Sequence, residues 1–270
     1  MPRLVTAFSN ATVKRLRSLR DKKARRAEGL FLAEGLRILA EARDSGRLPE
    51  IVAFSAEGGK HPLAAEIITA TEAAGGEAIE TSADILSKMS GKDNPQMLLG
   101  AYRQPATDLN AIDRSAAPLW IVAQALRDPG NIGTILRTGD AVGAGGLILI
   151  DDCADPYSVE AVRASMGAVF TQAIAAARWP EFVDWLRSGD GQLVGTSLKA
   201  THDYLEAEYR QPCFLLIGNE QQGLPADYEA ECDSIVKIPM AGRADSLNAA
   251  MATAIMAFAI NASWRSGNRR

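Results

Sequence analysis

The feature that most constrains the fold is an alternation of apolar runs and helix-like segments in the second half of the chain. Continuous apolar runs are typical of strands in a parallel sheet whose two faces are covered by helices. Six such runs are strand candidates: residues 119–126, 146–151, 168–174, 192–197, 213–219 and 234–239. Helix-like segments separate them, so we expect βαβ units and a parallel sheet in an α/β fold.

A break in composition divides the chain at residues 103–118. This stretch, RQPATDLNAIDRSAAP, has no sustained apolar period and is rich in Pro, Ala, Asp and Asn, as linkers are. Before it, a shorter pattern of helices and strands predicts a small α/β unit that starts with a basic helix over residues 10–26. We predict one domain at 1–104, a linker at 105–117 and a second domain at 118–270.

The positive charge of the chain is concentrated near its N-terminus. The formal net charge is −4, yet residues 1–42 hold ten Lys and Arg against four Asp and Glu. Such a cluster is either a solvated helix face or a contact for a polyanion. Its arginine content favours RNA or DNA phosphate, which a guanidinium binds through paired hydrogen bonds. The candidate RNA-binding residues are Lys14, Arg15, Arg17, Arg20, Lys22, Lys23, Arg25 and Arg26.

Residue spacing argues against several common sites. The two histidines, His61 and His202, have no metal-ligand spacing, so we expect no metal. The three cysteines form no CxxC pair, and we expect free, buried thiols in a cytoplasmic protein. P-loop and GxSxG patterns are absent. The first residues have no secretory signal, and no apolar run reaches the length of a membrane span.

Glycines are dense in the stretch LRDPGNIGTILRTGDAVGAGG, residues 126–146, which at first suggests a dinucleotide site. The third glycine of GxGxxG is missing, and the glycines follow a helix rather than a strand. We therefore interpret Gly143 as the residue that ends a helix in the left-handed conformation. Two polar residues of this stretch remain as candidates for a function, Asn131 and Arg137. Asn131 lies near a helix N-terminus, where Asn is common for structural reasons. For Arg137, a surface pair with Asp140 and a functional role are equally favoured.

The last helix has the clearest pattern. Asp245 or Ser246 is its expected N-terminal cap. Apolar residues then recur at helical spacing at Leu247, Ala250, Met251, Ala254, Ile255 and Phe258. We expect this stripe to belong to the core.

Three segments, taken in order, resemble the motifs of the SpoU/TrmH family of RNA ribose 2′-O-methyltransferases, in the SPOUT superfamily. They are LRDPGNIGTILRTGDAVG (126–143), LLIGNEQQGL (215–224) and VKIPMAGRADSLNAAMA (236–252). The segment VKRLRSLRDKKARRAEGLFLAEGLRIL is similar to the small α/β/α RNA-binding domain that often precedes this family's catalytic domain. The resemblance implies a parallel-sheet SPOUT domain with a deep trefoil knot, S-adenosyl-L-methionine as cofactor, and a homodimer.

The resemblance also implies roles for individual residues. The positions that match catalytic residues are Asn131, Arg137, Glu220, Ser246 and Asn248. The positions that match cofactor-binding residues are Thr196, Ser197, Gly218, Asn219, Ile238, Met240 and Leu247. We expect Gly218 to let the backbone approach the cofactor.

The implied reaction fits these residue types. Methyl transfer from a sulfonium needs an oriented 2′-hydroxyl and removal of its proton, but no metal and no covalent enzyme intermediate. We expect Arg137 to bind the target phosphate and to stabilise negative charge on the 2′-oxygen. Structured RNA, most favourably ribosomal RNA, is the expected substrate, by analogy with two-domain relatives. The alternatives are a transfer-RNA 2′-O-methyltransferase, an inactive RNA-binding assembly factor of the same fold, and a nucleotide-dependent oxidoreductase, which the missing GxGxxG disfavours.

Overall fold

The chain folds into two compact units that are not divided at a single point. The computed structural model describes residues 2–243 and 245–267. One unit contains Met1–Pro105 and Asp155–Thr171, and the other contains Ala106–Ala154 and Gln172–Arg270. The segment Asp155–Thr171 thus packs with the N-terminal part of the chain, a feature that the expectation of two continuous domains did not include.

The first unit is built on a mixed five-stranded sheet in the order β1-β4-β3-β5-β2, in which β5 runs antiparallel to both neighbours. Its elements before the linker are β1 (Arg3–Val5), α1 (Ala11–Ser18), α2 (Lys22–Glu28), β2 (Leu30–Glu34), α3 (Leu36–Asp44), β3 (Ile51–Ser55), α4 (Ala56–Gly59), α5 (Pro62–Ala73), β4 (Glu77–Thr81), α6 (Ala83–Ser90) and β5 (Leu98–Arg103). The predicted α/β pattern is confirmed, but the single basic helix over 10–26 is wrong. It is two helices, because the Asp21 side chain caps a new helix by accepting from the N–H groups of Lys23 and Ala24.

The rest of the chain carries a seven-stranded sheet in which every neighbouring pair is parallel, as predicted. The strand order is β10-β12-β9-β11-β6-β7-β8. The elements are β6 (Leu119–Gln124), α7 (Pro129–Val142), β7 (Gly146–Ile150), α8 (Val159–Ser165), β8 (Ala173–Ala177), α9 (Trp179–Arg187), β9 (Gln192–Thr196), β10 (His202–Asp203), β11 (Cys213–Ile217), α10 (Ala226–Ala230), β12 (Ser234–Lys237) and α11 (Ala249–Gly267). Short 3-10 helices lie at Leu109–Ala111, Arg114–Ala116 and Ala168–Phe170. None of the helices that the structure describes is long and apolar enough to cross a membrane.

The predicted strand over 168–174 is wrong. Its first half is a 3-10 helix, and the strand runs from Ala173 to Ala177. Phe170 instead packs in the first unit, with its ring centroid 5.7 Å from Phe31 and 4.7 Å from Tyr102. Tyr157 adds a fourth ring, 5.0 Å from Phe31. This aromatic cluster explains why the segment Asp155–Thr171 belongs to the first unit, because burial of several rings is strongly stabilising.

The apolar stripe predicted for the last helix belongs to the core only in part, since Ala250 is its one fully buried member among the described residues. The buried face of α11 is formed by Ala249, Ala250, Thr253, Met256, Ala257 and Ile260. Three members of the predicted stripe are exposed instead: Met251 by 62%, Ile255 by 37% and Phe258 by 55%. Helical spacing marks which residues share a face, but it does not say whether a neighbouring element covers that face.

Candidate active site

One cleft lies where the loops after β9, β11 and β12 meet. Because all strands of the seven-stranded sheet are parallel, the loops that follow them emerge at the same edge of that sheet. The cleft measures about 350 Å³. All seven residues predicted to bind the cofactor line it: Thr196, Ser197, Gly218, Asn219, Ile238, Met240 and Leu247. Two of the predicted catalytic residues, Glu220 and Ser246, line it as well.

A chain of hydrogen bonds joins three predicted catalytic residues beside this cleft. The Asn131 Nδ2 donates to Glu220 Oε1 at 2.9 Å. The Asn248 Nδ2 donates to Asn131 Oδ1, also at 2.9 Å. The Asn131 side chain is buried, and these two bonds hold both ends of its amide. The three sequence motifs thus supply one residue each to a single connected network.

Local helix signals explain why Asn131 and Asn248 face each other. Asp128 caps α7 by accepting from Asn131 N, and Pro129 is the first helical residue. Asn131 therefore lies inside the first turn rather than at the cap. Asn248 Oδ1 accepts from the N–H groups of Ala250 and Met251, so Asn248 caps α11 in place of the predicted Asp245 or Ser246.

The loop after β11 is held by hydrogen bonds of the Asn219 side chain. Asn219 Oδ1 accepts from the N–H groups of Gln221 and Gln222, while its Nδ2 donates to the Ala125 carbonyl. Gly223 adopts a φ of +68°, which favours glycine. A Cβ on Gly218 would lie 2.5 Å from the Gly223 carbonyl carbon. The close backbone contact within this loop is therefore enough to require glycine at 218. This reason differs from the expected one, which was that the cofactor approaches the backbone there.

Arg137 lies on the same helix as Asn131 but on its exposed side. Within residues 2–243 and 245–267 it has no hydrogen-bond or ion-pair partner, so the surface pair with Asp140, one of the two interpretations that the sequence left open, is not formed. It is not among the residues that line the cleft. Its guanidinium is thus available to a group from outside the chain.

The eight basic residues predicted to bind RNA differ in accessibility. Six are exposed, namely Lys14, Arg17, Arg20, Lys22, Lys23 and Arg26. Arg15 is half-buried and pairs with Glu28. Arg25 is only 3% exposed; its guanidinium bonds Asp155 at 2.6 Å and donates to the carbonyls of Leu19 and Arg20. Arg25 holds the fold together and has no free edge for a phosphate, contrary to the expectation that all eight residues contact RNA.

The three cysteines are free, as predicted, although only Cys213 is fully buried. Burial raises the pKa of Cys213 to about 12, of Cys232 to about 12 and of Cys153 to about 11. These thiols therefore stay protonated at neutral pH and are poor nucleophiles. Among the residues that the structure describes, no group of His, Cys, Asp and Glu is arranged to hold a metal ion.

Sequence reasoning missed other residues of this region. Leu198, Lys199 and Gln221 also line the cleft, and each lies in the loop after a strand. Their position just beyond the carboxyl end of a parallel strand is a signal that was present in the sequence. Gln124, the last residue of β6, was also missed, and no motif distinguishes it from the rest of its strand.

A family model decides the relationship of this chain to known proteins. The model of the SpoU rRNA Methylase family matches residues 118–258. The chain belongs to the SpoU rRNA methylase family. A second model, the MRM3-like substrate binding domain, matches residues 10–100.

Relatives of this SpoU protein match over almost its whole length. A 23S rRNA (uridine(2479)-2′-O)-methyltransferase of Streptomyces viridochromogenes is 35% identical, over 88% of this chain and 84% of the relative. The 23S rRNA (guanosine(2553)-2′-O)-methyltransferase RlmP of Bacillus subtilis is 28% identical, over 94% and 97%. The crystal structure of an AdoMet-bound rRNA methyltransferase from Sinorhizobium meliloti superposes with a TM-score of 0.89 and 39% identity, over 97% and 98% of the two chains. The likeness to these relatives therefore covers residues of both units of the chain.

Proposed function

We propose that this SpoU protein transfers a methyl group from S-adenosyl-L-methionine to a ribose 2′-hydroxyl of ribosomal RNA. The observation that carries the proposal is the cleft, where the predicted cofactor residues adjoin the Glu220–Asn131–Asn248 network. Family membership and the names of the rRNA-methylating relatives support it. A transfer-RNA substrate is not favoured by these relatives.

The residues of the cleft fit the cofactor. Ile238, Met240 and Leu247 offer an apolar wall suited to an adenine ring. The carboxylates of Glu220, Glu229 and Asp245 suit the positive charges of a sulfonium and an amino group. The hydroxyls of Thr196 and Ser197 supply hydrogen bonds that would fix orientation. When bound, the cofactor supplies an electrophilic methyl group.

The chain's own residues have to orient the 2′-hydroxyl and receive its proton. Asn131 donates a hydrogen bond to one oxygen of the Glu220 carboxylate. Because the carboxylate is planar, this bond also fixes the orientation of its other oxygen. We assign Glu220 as the acceptor of the hydroxyl's hydrogen bond and Asn131 as the residue that positions it. A guanidinium stays protonated in proteins, so we assign Arg137 to the target phosphate and to the charge that develops on the 2′-oxygen.

Substitution of Arg137 tests this assignment. Arg137→Ala should reduce methyl transfer to RNA by at least about a hundredfold, as loss of an oxyanion-stabilising donor does. Cofactor affinity measured by calorimetry should stay within about twofold, because Arg137 does not line the cleft. Arg137→Lys keeps the charge but loses the planar fork, and should restore only part of the rate. A large loss of cofactor binding in Arg137→Ala would refute the assignment.

The exposed basic residues of α1 and α2 support RNA binding by the N-terminal unit, predicted at residues 1–104. The match of residues 10–100 to a substrate binding domain favours the same role. The exposed apolar residues Met251, Ile255 and Phe258 favour a homodimer, because apolar patches of this kind mark protein interfaces. We further expect the family's trefoil knot in the second unit. A cytoplasmic setting agrees with free thiols and a ribosomal substrate.

Mapping of methylated riboses is the direct test. Ribosomal RNA from cells with and without the gene should differ at one or a few 2′-O-methyl positions, and purified protein with labelled S-adenosyl-L-methionine should restore them. Binding of the cofactor without any restored methylation would favour an RNA-binding assembly factor of the same fold. Failure to bind the cofactor in calorimetry would refute the proposed reaction.

A further inference from the structure

A second cleft shares a wall with the first. It measures about 500 Å³ and is lined by Gln124, Ala125, Arg127, Asn219 and residues 221–225. Asn219 and residues 221–224 line both clefts, so this loop separates them. The proposed cofactor site accounts for the first cleft and leaves the second without a role.

One residue that lines this second cleft has a buried acceptor without a partner. Gln124 is 7% exposed, and its Oε1 has no hydrogen bond within the described part of the chain. Leaving a buried amide oxygen unpaired is costly, and native proteins rarely do so without a reason. The backbone next to it is also constrained. Ala125 has a φ of 49°, and its carbonyl is already used by Asn219 Nδ2.

The other walls indicate the chemistry of an occupant. Gln221 and Gln222 add two neutral amides, Leu224 and Pro225 add apolar surface, and Arg127 adds a cation at the rim. Arg127 is 63% exposed in its side chain and donates to Asp152. A cleft that combines apolar surface with neutral amides suits a nucleobase, whose faces stack on apolar groups and whose edges glutamine reads through hydrogen bonds.

The position of the cleft indicates which nucleotide of the RNA supplies this base. Asn219 and Gln221 line the second cleft, and the residue between them, Glu220, bonds to Asn131. A ribose held at Glu220 would therefore carry its own base next to the second cleft. Enzymes that do chemistry on a base take that base out of its stack and hold it in a pocket, and the same extrusion would place the base of a methylated ribose in this cleft.

We propose that the second cleft binds the base of the nucleotide that is methylated, and that the side-chain amide of Gln124 forms a hydrogen bond with an edge of that base. This inference rests on the proposed function. It goes beyond it by assigning recognition of the target nucleotide to residues outside the cofactor cleft.

Gln124→Met tests the proposal, because methionine keeps the size of the side chain and removes its amide. Removal of an unpaired buried acceptor does not destabilise a fold, so the variant should unfold at the wild-type urea concentration. The kcat/KM for ribosomal RNA should fall about tenfold to a hundredfold, as after loss of a base contact. Calorimetry should give wild-type affinity for S-adenosyl-L-methionine.

Gln172→Met is the matched control. The Gln172 Oε1 is also buried without a partner, but Gln172 lines neither cleft and its Nε2 bonds the Ala144 carbonyl. This control should have wild-type kcat/KM. A wild-type kcat/KM in Gln124→Met would overturn the proposal and leave the proposed reaction intact, as would equal losses in the two variants.

A binding measurement separates failure of the inference from failure of the proposed function. The four nucleoside 5′-monophosphates are titrated by NMR saturation transfer with S-adenosylhomocysteine present. We expect wild-type protein to bind at least one of them and Gln124→Met to bind it at least about tenfold more weakly. Equal binding by both proteins, or binding by neither, would overturn the inference even if no methyl transfer were found.

Discussion

At the scale of single residues, Asn248 has two roles that one substitution can separate. Its Oδ1 caps α11, and its Nδ2 holds Asn131. Asn248→Asp keeps the cap, and a carboxylate is favourable at a helix N-terminus, but it cannot donate to Asn131. We expect the free energy of unfolding to stay within about 0.5 kcal/mol of the wild-type value. The kcat should fall about tenfold, because the free energy of one hydrogen bond corresponds to about that factor in rate.

Asn248→Ala is the comparison for that variant. It removes the cap as well, and should lower the free energy of unfolding by a further ~1 kcal/mol. Urea unfolding and single-turnover methylation measure the two effects independently. If Asn248→Asp lost stability but kept its rate, the contact with Asn131 would have no part in catalysis.

Cys213 predicts a loss of stability in alkaline solution. Burial raises its pKa to about 12, whereas an unfolded thiol ionises near pH 8.5. Since the folded pKa is the higher one, the folded state keeps a proton that the unfolded state loses between these values. The free energy of unfolding should therefore fall by about 1.4 kcal/mol per pH unit above pH 9 from this thiol alone.

Cys213→Ala should reduce the slope of unfolding free energy against pH by that amount between pH 9 and 10. The cavity left by the substitution has a cost that does not vary with pH, so the comparison of slopes isolates the thiol. Cys153 and Cys232 remain in both proteins and contribute equally. Parallel stability curves for wild type and variant would show that the thiol ionises in the folded protein.

At the scale of elements, α1 and α2 predict the salt dependence of RNA binding. Lys14, Arg17 and Lys23 are exposed, and each phosphate contact contributes about 0.7 to 0.9 to the slope of log affinity against log salt. Replacing all three by Gln should lower that slope by roughly 2 to 3. The control makes the same charge change at Lys60, Arg178 and Arg187, which lie outside both helices. Equal changes in the two proteins would mean that only net charge matters.

The elements also show what a sequence can predict. Strands such as Leu119–Gln124 and Cys213–Ile217 were predictable because both faces are buried and every residue except Gln124 is apolar. The left-handed Gly143 was predictable because its cause is local. The burial of Arg25 was not, because its partner Asp155 lies 130 residues away. The cleft residues were found by resemblance, whereas the unpaired acceptor of Gln124 is visible only in three dimensions.

At the scale of the whole molecule, the division of the chain restricts how RNA binding can be tested. Deletion of residues 1–104 would remove Phe31 and Tyr102, against which Tyr157 and Phe170 pack. The remaining protein would expose apolar rings and would be prone to aggregate. A loss of RNA binding after such a deletion would therefore have two explanations, so substitutions on the surface of α1 and α2 are the cleaner test.

The exposed stripe on α11 gives the last prediction, that the protein is a dimer held by Met251, Ile255 and Phe258. Wild-type protein should have twice the 28.8 kDa mass of the chain in light scattering. Phe258→Glu should shift it to the monomer, because a charge buried in an apolar interface costs several kcal/mol. Leu205→Glu is the control, since Leu205 is 70% exposed but lies away from α11 in the sequence. A wild-type monomer, or a Phe258→Glu variant that stays dimeric, would show that α11 forms no interface.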